Sequence, residues 1–324
     1  MKKLFLFFLI FLMAFSTSAE YAYIAVRNSD TDELGVLEYD TESKKYELYN
    51  TNAYPIKDNI QSTQILADRK DNSSFDLYYI SDGKLKLYKS DLFCNGLLLV
   101  IAYIDHYIYC LRENIFGNNE IIRISPDGET FIYSYPGDSV FYSGSATEIT
   151  MNFPIIADVD AQGRLLISSF VSPEINSNRY DDNDGSYIYV LHPNGEYYYL
   201  TNGFEPIWYT EDSIIYLTQE IDSLSKKTYI QKYCLSTGEN EQISDLYIEY
   251  ETDDFLVYAE ETGISINRNG EIILNTEYLS QKRGRLLCYT TVNICSKQKE
   301  KIIINANEFL TRGMRIYWDS IDNS

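Results

Sequence analysis

Histidine is nearly absent: His106 and His192 are the only two in 324 residues. A Ser–His–Asp hydrolase needs an imidazole between nucleophile and carboxylate. Here His106 reads as a turn residue in YIDHYIY, and His192 heads the HPNG turn. The chain has no G-x-S-x-G elbow, no P-loop and no GxGxxG, so those nucleophilic and nucleotide-binding chemistries lose their usual carriers. Basic charge is short as well, with 27 Lys+Arg against 48 Asp+Glu and a formal net charge of −21. Such a surface excludes nucleic acid as a partner, because phosphates need Lys and Arg, and it disfavours docking on anionic lipid. Cysteine is too sparse for a disulfide scaffold, at five residues, and none is in CxxC spacing. A zinc ribbon and a thioredoxin-type site are therefore unsupported. Past the N-terminus there is no apolar run of spanning length and no amphipathic helical period.

What is present begins with Lys2 and Lys3, a twelve-residue apolar run from Leu4 to Phe15, and small residues Ser16 to Ala19. A basic start, a short apolar core and a small-residue cut are the parts of a secretory signal. Residues 1–19 are read as that signal and 20–324 as one domain, secreted or periplasmic, with no membrane insertion after cleavage. Export permits disulfides, and the odd cysteine count leaves at least one thiol free or intermolecular. Cys288 and Cys295 are spaced to face each other across a tight hairpin as a bridge. The alternative is two small apolar residues in neighbouring strands.

The mature sequence is strand and turn chemistry. Short runs of Tyr, Ile, Leu, Val and Phe alternate with Gly, Asn, Asp and Ser clusters, and Tyr alone supplies 31 residues. A recurrent strand begins at Tyr21, Thr63, Tyr107, Leu165, Ile214, Phe255 and Leu286, in steps of 42, 44, 58, 49, 41 and 31 residues. A recurrent hairpin carries Gly at 83, 128 and 195, with similar turns at 238 and 270. Turns of this kind use positive φ, which Gly and Asn reach cheaply. Four-stranded units of about 40–50 residues are the signature of an all-β β-propeller. Seven recurrent strands imply seven blades, with six or eight as the alternatives. The chain ends in MRIYWDSIDNS, the first half of a pattern whose second half, YAYIAVR, opens the mature chain. The C-terminal strand is thus expected to complete the first blade and close the ring. Trp208 and Trp318 fall on equivalent innermost strands, read as core packing in preference to a sugar platform.

The segments PIIADVDAQGRLLISSF and SYIYVLHPNGEYYYL resemble a blade of the NHL-type and gluconolactonase-like repeat propellers, and EIIRISPDGETFIY resembles the second half of one. That resemblance implies the propeller fold. The gluconolactonase-like group further implies a calcium ion held by Glu, Asn and Asp at the channel mouth, ligands that have no residue-by-residue match here. Those relatives are normally six-bladed.

Two long insertions account for the steps of 58 and 49 residues: PGDSVFYSGSAT from Pro136, which contains Tyr142, and SPEINSNRYDDNDGSYIY from Ser172. In a four-stranded meander both emerge on one face, and rigid scaffolds carry function on such loops. Tyr142, Arg179, Tyr180, Asp181, Asp182 and Asp184 are the binding candidates on this blade-four face. Asp181, Asp182 and Asp184 also place hard oxygens together as calcium requires, although the EF-hand spacing fails and a solvated acidic loop is the simpler reading. The expected function is non-catalytic binding of a protein or glycan partner, without a required cofactor. The alternatives are a divalent-metal-dependent hydrolase or lactonase and a carbohydrate-binding envelope component.

Overall fold

Two-residue turns set the strand register. Asp82-Gly83 (φ 54° and 66°) and Asp105-His106 (φ 48° and 70°) hold both central residues in the left-handed region. That is the backbone of a type I′ hairpin, whose twist matches the flanking strands. Wider hairpins turn at Gly128, Gly195 and Gly238, all at positive φ.

The computed structural model describes residues 21–28, 31–40, 43–60, 63–117, 119–133, 155–169, 187–221 and 226–247. Beyond these it describes strands 255–266, 272–280, 284–292, 299–305, 309–311 and 317–318. Among the described residues the strands form six sheets of four or five strands. Blade one is Tyr21–Asn28, Leu34–Asp40 and Lys45–Asn50, and blade two is Tyr54–Pro55, Ile65–Arg69, Ser74–Ser81 and Lys84–Phe93. Blade three is Leu97–Ile104, Tyr107–Glu113, Asn119–Ile124 and Thr130–Tyr133, and blade four is Ile155–Val159, Leu165–Ser169, Tyr187–Leu191 and Tyr197–Asn202. Blade five is Phe204–Thr210, Ser213–Ile221, Lys226–Cys234 and Asn240–Tyr247, and blade six is Phe255–Ile266, Ile272–Ser280, Gly284–Val292 and Lys299–Asn305. The fold is the expected all-β propeller.

The described residues form six blades, in place of the expected seven. The recurrent strand is the second of its blade at Tyr21, within Ile65–Arg69, and at Tyr107, Leu165 and Ser213–Ile221. The strands at Phe255 and Leu286 are instead the first and third of one sheet, with Ile272–Ser280 between them. One blade was counted twice because its flanking strands share the apolar, β-branched composition of a second strand. Ring closure stands as expected. Phe309–Thr311 pairs with Val26, Arg27 and Asn28, and Tyr317–Trp318 pairs with Ala22 and Tyr23, giving blade one its innermost strand.

The core lies between blades. Tyr23 and Val36 of blade one pack with Leu66 and Ile80 of blade two. Ile65, Phe75 and Leu77 of blade two meet Val100, Tyr103 and Ile122 of blade three. Ile104 and Ile121 meet Leu165 and Ile167 across the next interface. Leu166 and Val190 of blade four pack with Trp208 and Ile214 of blade five. Ile215, Leu217 and Ile230 then reach Ile272 of blade six. Each fully buried aliphatic side chain contributes about 1.5–3 kcal/mol, so these interfaces dominate stability. Outermost strands such as Lys45–Asn50 and Tyr197–Asn202 are mostly exposed, which leaves the blade rims polar and aromatic.

Polar groups fix how the blades meet at the centre. After Pro55, which has no N–H to continue a ladder, the chain leaves blade two, and Lys57–Asp58 adds to blade three in parallel, opposite Ala102 and Tyr103. Lys57 Nζ lies 2.6 Å from Asp158 Oδ1 on the innermost strand of blade four. Asp158 is buried, and its other oxygen accepts the Trp208 N–H of blade five at 2.7 Å. One carboxylate therefore links three blades. Next to Lys57, Asp58 accepts the N–H groups of Ile60 and Ile65, while buried Gln64 donates to the carbonyl of Ile65.

Replacing Asp158 by Ala leaves the buried Trp208 N–H and the Lys57 ammonium without this acceptor, an expected loss of about 3 kcal/mol. Lys57→Met is expected to cost less, because Asp158 keeps its Val159 and Trp208 donors and Lys57 is one-third exposed. Urea unfolding midpoints of the two variants against the parent chain test that order. Removing residues 309–324 is expected to leave blade one open and abolish a cooperative melt; a truncated chain that melts like the full one would refute closure by this strand.

Candidate functional site

Strand direction assigns the loops to two faces. First-to-second turns and third-to-fourth hairpins leave one face; second-to-third loops and blade connectors leave the other, the loop face. Ser169 and Tyr187 stand opposite each other at the ends of the second and third strands of blade four, on either side of the segment 170–186. Tyr133 ends blade three and Ile155 begins blade four, on either side of the segment 134–154. The candidates Tyr142, Arg179, Tyr180, Asp181, Asp182 and Asp184 all belong to these two segments and lie outside the described residues. Cys288 is on the third strand of blade six, opposite Thr276 and Ile303, while Cys295 lies outside the described residues. His106 and His192 occupy turns, as read from sequence.

What the structure adds on this face is a hydrogen-bonded rim across blades two and three. Asp71 Oδ1 accepts the N–H groups of Ser73 and Ser74, each at 2.7 Å. Those donors, the Ser73 N–H first, hold its carboxyl below the ordinary value. The Ser73 carbonyl accepts Cys94 N–H at 2.8 Å, and the Asn72 carbonyl accepts Leu97 N–H at 2.7 Å, which ties the loop of blade two to the connector entering blade three. Arg69 reaches the Asp71 and Leu98 carbonyls and the Asn72 side chain. The Gly96 carbonyl in turn accepts Glu113 N–H at 2.8 Å, carrying the network into the loop of blade three. There the Asn114 side-chain oxygen accepts Phe116 N–H at 2.9 Å, and its amide donates to Glu120, which also pairs with Arg112.

This polar frame holds apolar side chains out in water. Ile115 is 86 % exposed, Phe116 80 % and Phe93 68 %, the three largest values among the exposed large hydrophobic residues. Single exposed apolar residues are ordinary; three carried on segments that one set of polar bonds joins are a candidate contact surface. Sequence reasoning missed them. The available signal was Asn114-Ile-Phe-Gly117, two large apolar residues inside a turn, where burial is not on offer.

The channel side reads differently. Asp58 and Asp158 lie on innermost strands, and each already serves backbone N–H donors. Among the described residues no group of three or more His, Cys, Asp or Glu side chains is placed to hold a metal ion. Trp208 is buried, with the Arg164 guanidinium over its ring at 4.4 Å, so it packs between blades four and five and offers no platform to a sugar.

No protein-family model matches the chain, and no curated protein matches it in sequence. Among solved structures, it is similar to TolB from Acinetobacter baumannii, with a TM-score of 0.57 and 13% identity over 93% of this chain and 67% of that one. A protein from Lactobacillus plantarum aligns at a TM-score of 0.46 and 16% identity, over 88% of this chain and 81% of that one. The first likeness shows the fold, and at that identity it says nothing about activity.

Gly96 is the joint of the rim. Its φ is +74°, and a Cβ built there would lie 2.0 Å from the Glu113 carbonyl oxygen. Gly96→Ala is therefore expected to destabilise the chain by more than about 1 kcal/mol, read as a lowered melting temperature, whereas Gly195→Ala on the open hairpin face meets no neighbouring atom and costs only its φ strain.

Proposed function

We propose that this chain is an exported, non-catalytic propeller that binds a protein partner through its loop face. The observation that carries the reading is the exposure of Phe93, Ile115 and Phe116 along a hydrogen-bonded rim of the loop face. Interface cores are enriched in such apolar and aromatic anchors, surrounded by polar groups that exclude water. Phenyl and branched aliphatic side chains favour a protein surface; a glycan would also need polar side chains aimed at its hydroxyls. Export is supported by the three-part pattern of residues 1–19, and no helix among the described residues is long and apolar enough to cross a membrane. The insertion residues Tyr142, Arg179, Tyr180, Asp181, Asp182 and Asp184 are proposed as the adjoining part of the contact surface.

A photo-crosslinking residue placed at Phe116 in producing cells is expected to give a discrete higher-mass adduct that the same residue at Asp127, on the hairpin face, does not. The adduct should fall at least tenfold when Ile115→Asp is added, because one buried charge at such a centre costs several kcal/mol. Equal adducts at both positions, or none at Phe116, would remove the loop face from the proposal. An adduct that a glycosidase digests, but a protease does not, would replace the protein partner by a glycan.

A further inference from the structure

The outermost strand of a blade presents a row of backbone N–H and C=O groups to solvent, and proteins guard such edges with charge, shortness or cover. Most rims of this ring are guarded. Lys45–Asn50 carries Lys45 and Glu47, Lys84–Phe93 carries three lysines, Asn240–Tyr247 carries Glu241 and Asp245, and Lys299–Asn305 carries Lys299 and Lys301. Thr130–Tyr133 has no charge but is only four residues long. Blade four departs from the pattern. Its outermost strand, Tyr197–Asn202, reads YYYLTN, six residues without a charged side chain, proline or glycine.

Among the described residues this strand pairs with Tyr187–Leu191 alone, so its other edge is open. Tyr197, Tyr198 and Tyr199 are 45 %, 50 % and 41 % exposed. Because consecutive side chains point to opposite faces, both faces of the strand offer an aromatic ring. The rings are held in place. Tyr197 meets Tyr189 edge-on at 6.3 Å and Tyr199 meets Tyr187 at 6.2 Å, and the Tyr199 hydroxyl donates to Asn202 Oδ1 at 2.8 Å. Tyr198 stands edge-on to His192 at 5.5 Å and donates to Glu196 Oε2 at 3.0 Å. Side chains already placed lose little freedom when they are covered.

We propose that this edge pairs, antiparallel, with the same strand of a second copy of the chain, joining two blade-four sheets across a twofold axis. Charge selects the occupant. At a net charge of −21 two copies repel over most of their surfaces, and a twofold contact must be complementary to itself. An uncharged strand meets itself with no like charges opposed, and its Tyr, Leu and Thr side chains supply the cross-strand pairs that stabilise adjacent strands. Pairing uses up the open edge, so assembly stops at two copies. Six residues a side make a small interface, below about 1,200 Å² in total, and the dissociation constant is expected on the order of 10 μM. The contact does not use Phe93, Ile115 or Phe116, so it stands apart from the loop-face reading.

The test is sedimentation equilibrium on the full chain after signal removal, from about 1 to 100 μM. The weight-average mass is expected to rise from one chain towards two and no further. Raising salt to about 0.5 M should strengthen the dimer, because it screens the repulsion between the acidic surfaces. Tyr198→Lys should weaken dimerisation at least tenfold while melting near the parent, and Tyr198→Phe should dimerise as the parent does. Should Tyr198→Lys fold poorly, Tyr197→Lys takes its place. Ile115→Asp, on the loop face, should leave the mass unchanged. A single-chain mass at every concentration, growth past two chains, or a dimer that Ile115→Asp dissociates and the strand variants do not, overturns the proposal.

Discussion

A single buried carboxylate holds the centre of this ring. Asp158 of blade four touches Lys57 on the strand added to blade three and the Trp208 backbone of blade five, so three blades meet on two oxygen atoms. Apolar packing between sheets supplies most of the free energy, but such packing is tolerant: two apolar faces can slide by part of a residue at small cost. Charge-assisted hydrogen bonds in a buried site are short and directional, and they are expensive to leave unmade. The clusters make the blades adhere, and the carboxylate decides where.

That division of labour explains why the two faces differ. On the hairpin face the third-to-fourth hairpins stand free, with Gly128 and Gly195 meeting nothing within 4 Å of an added Cβ, while the first-to-second turns bond across blades, Tyr133 to the Gly163 carbonyl and Arg164 to the Glu211 carbonyl. On the loop face the bonds run along the rim, from the Asn72 carbonyl of blade two to Leu97 of blade three and from the Gly96 carbonyl to Glu113. A surface built from inter-blade bonds moves as one body, which is what rigid presentation of Phe93, Ile115 and Phe116 requires. Binding to such a surface loses little ordering entropy, because the side chains' backbones are already placed.

Much of the architecture was legible in the residues because its signals are local. Asp82-Gly83 and the HPNG turn announce hairpins through positive φ, and the alternation of apolar runs with turn clusters announces short strands. Even ring closure could be read, since the two halves of one pattern stand at opposite ends of the chain. The blade count failed where the signal ceased to be local. The strands beginning at Phe255 and Leu286 look like second strands, while Ile272–Ser280, the true second strand, carries Asn275, Thr276 and Glu277 in its middle. Only pairing tells them apart. The central clamp was equally hidden, because Lys57 and Asp158 are 101 residues apart and neither belongs to a motif. The blade-four insertion stood out through its acidic composition, whereas the exposed rim of blade three is four ordinary residues whose meaning depends on what surrounds them.

The pairing of Tyr21–Asn28 with Phe309–Thr311 and Tyr317–Trp318 also carries a schedule. Contacts of such sequence separation form late and slowly. During synthesis the earliest strand must wait for the latest, and for all that time Ala22, Ile24 and Val26, buried in the finished ring, have no complete blade to enter. The same strand edge is then a liability until the last residues arrive. The ring is thus a lock that its final segment fastens, and the time before fastening is when this protein depends most on whatever shields nascent chains.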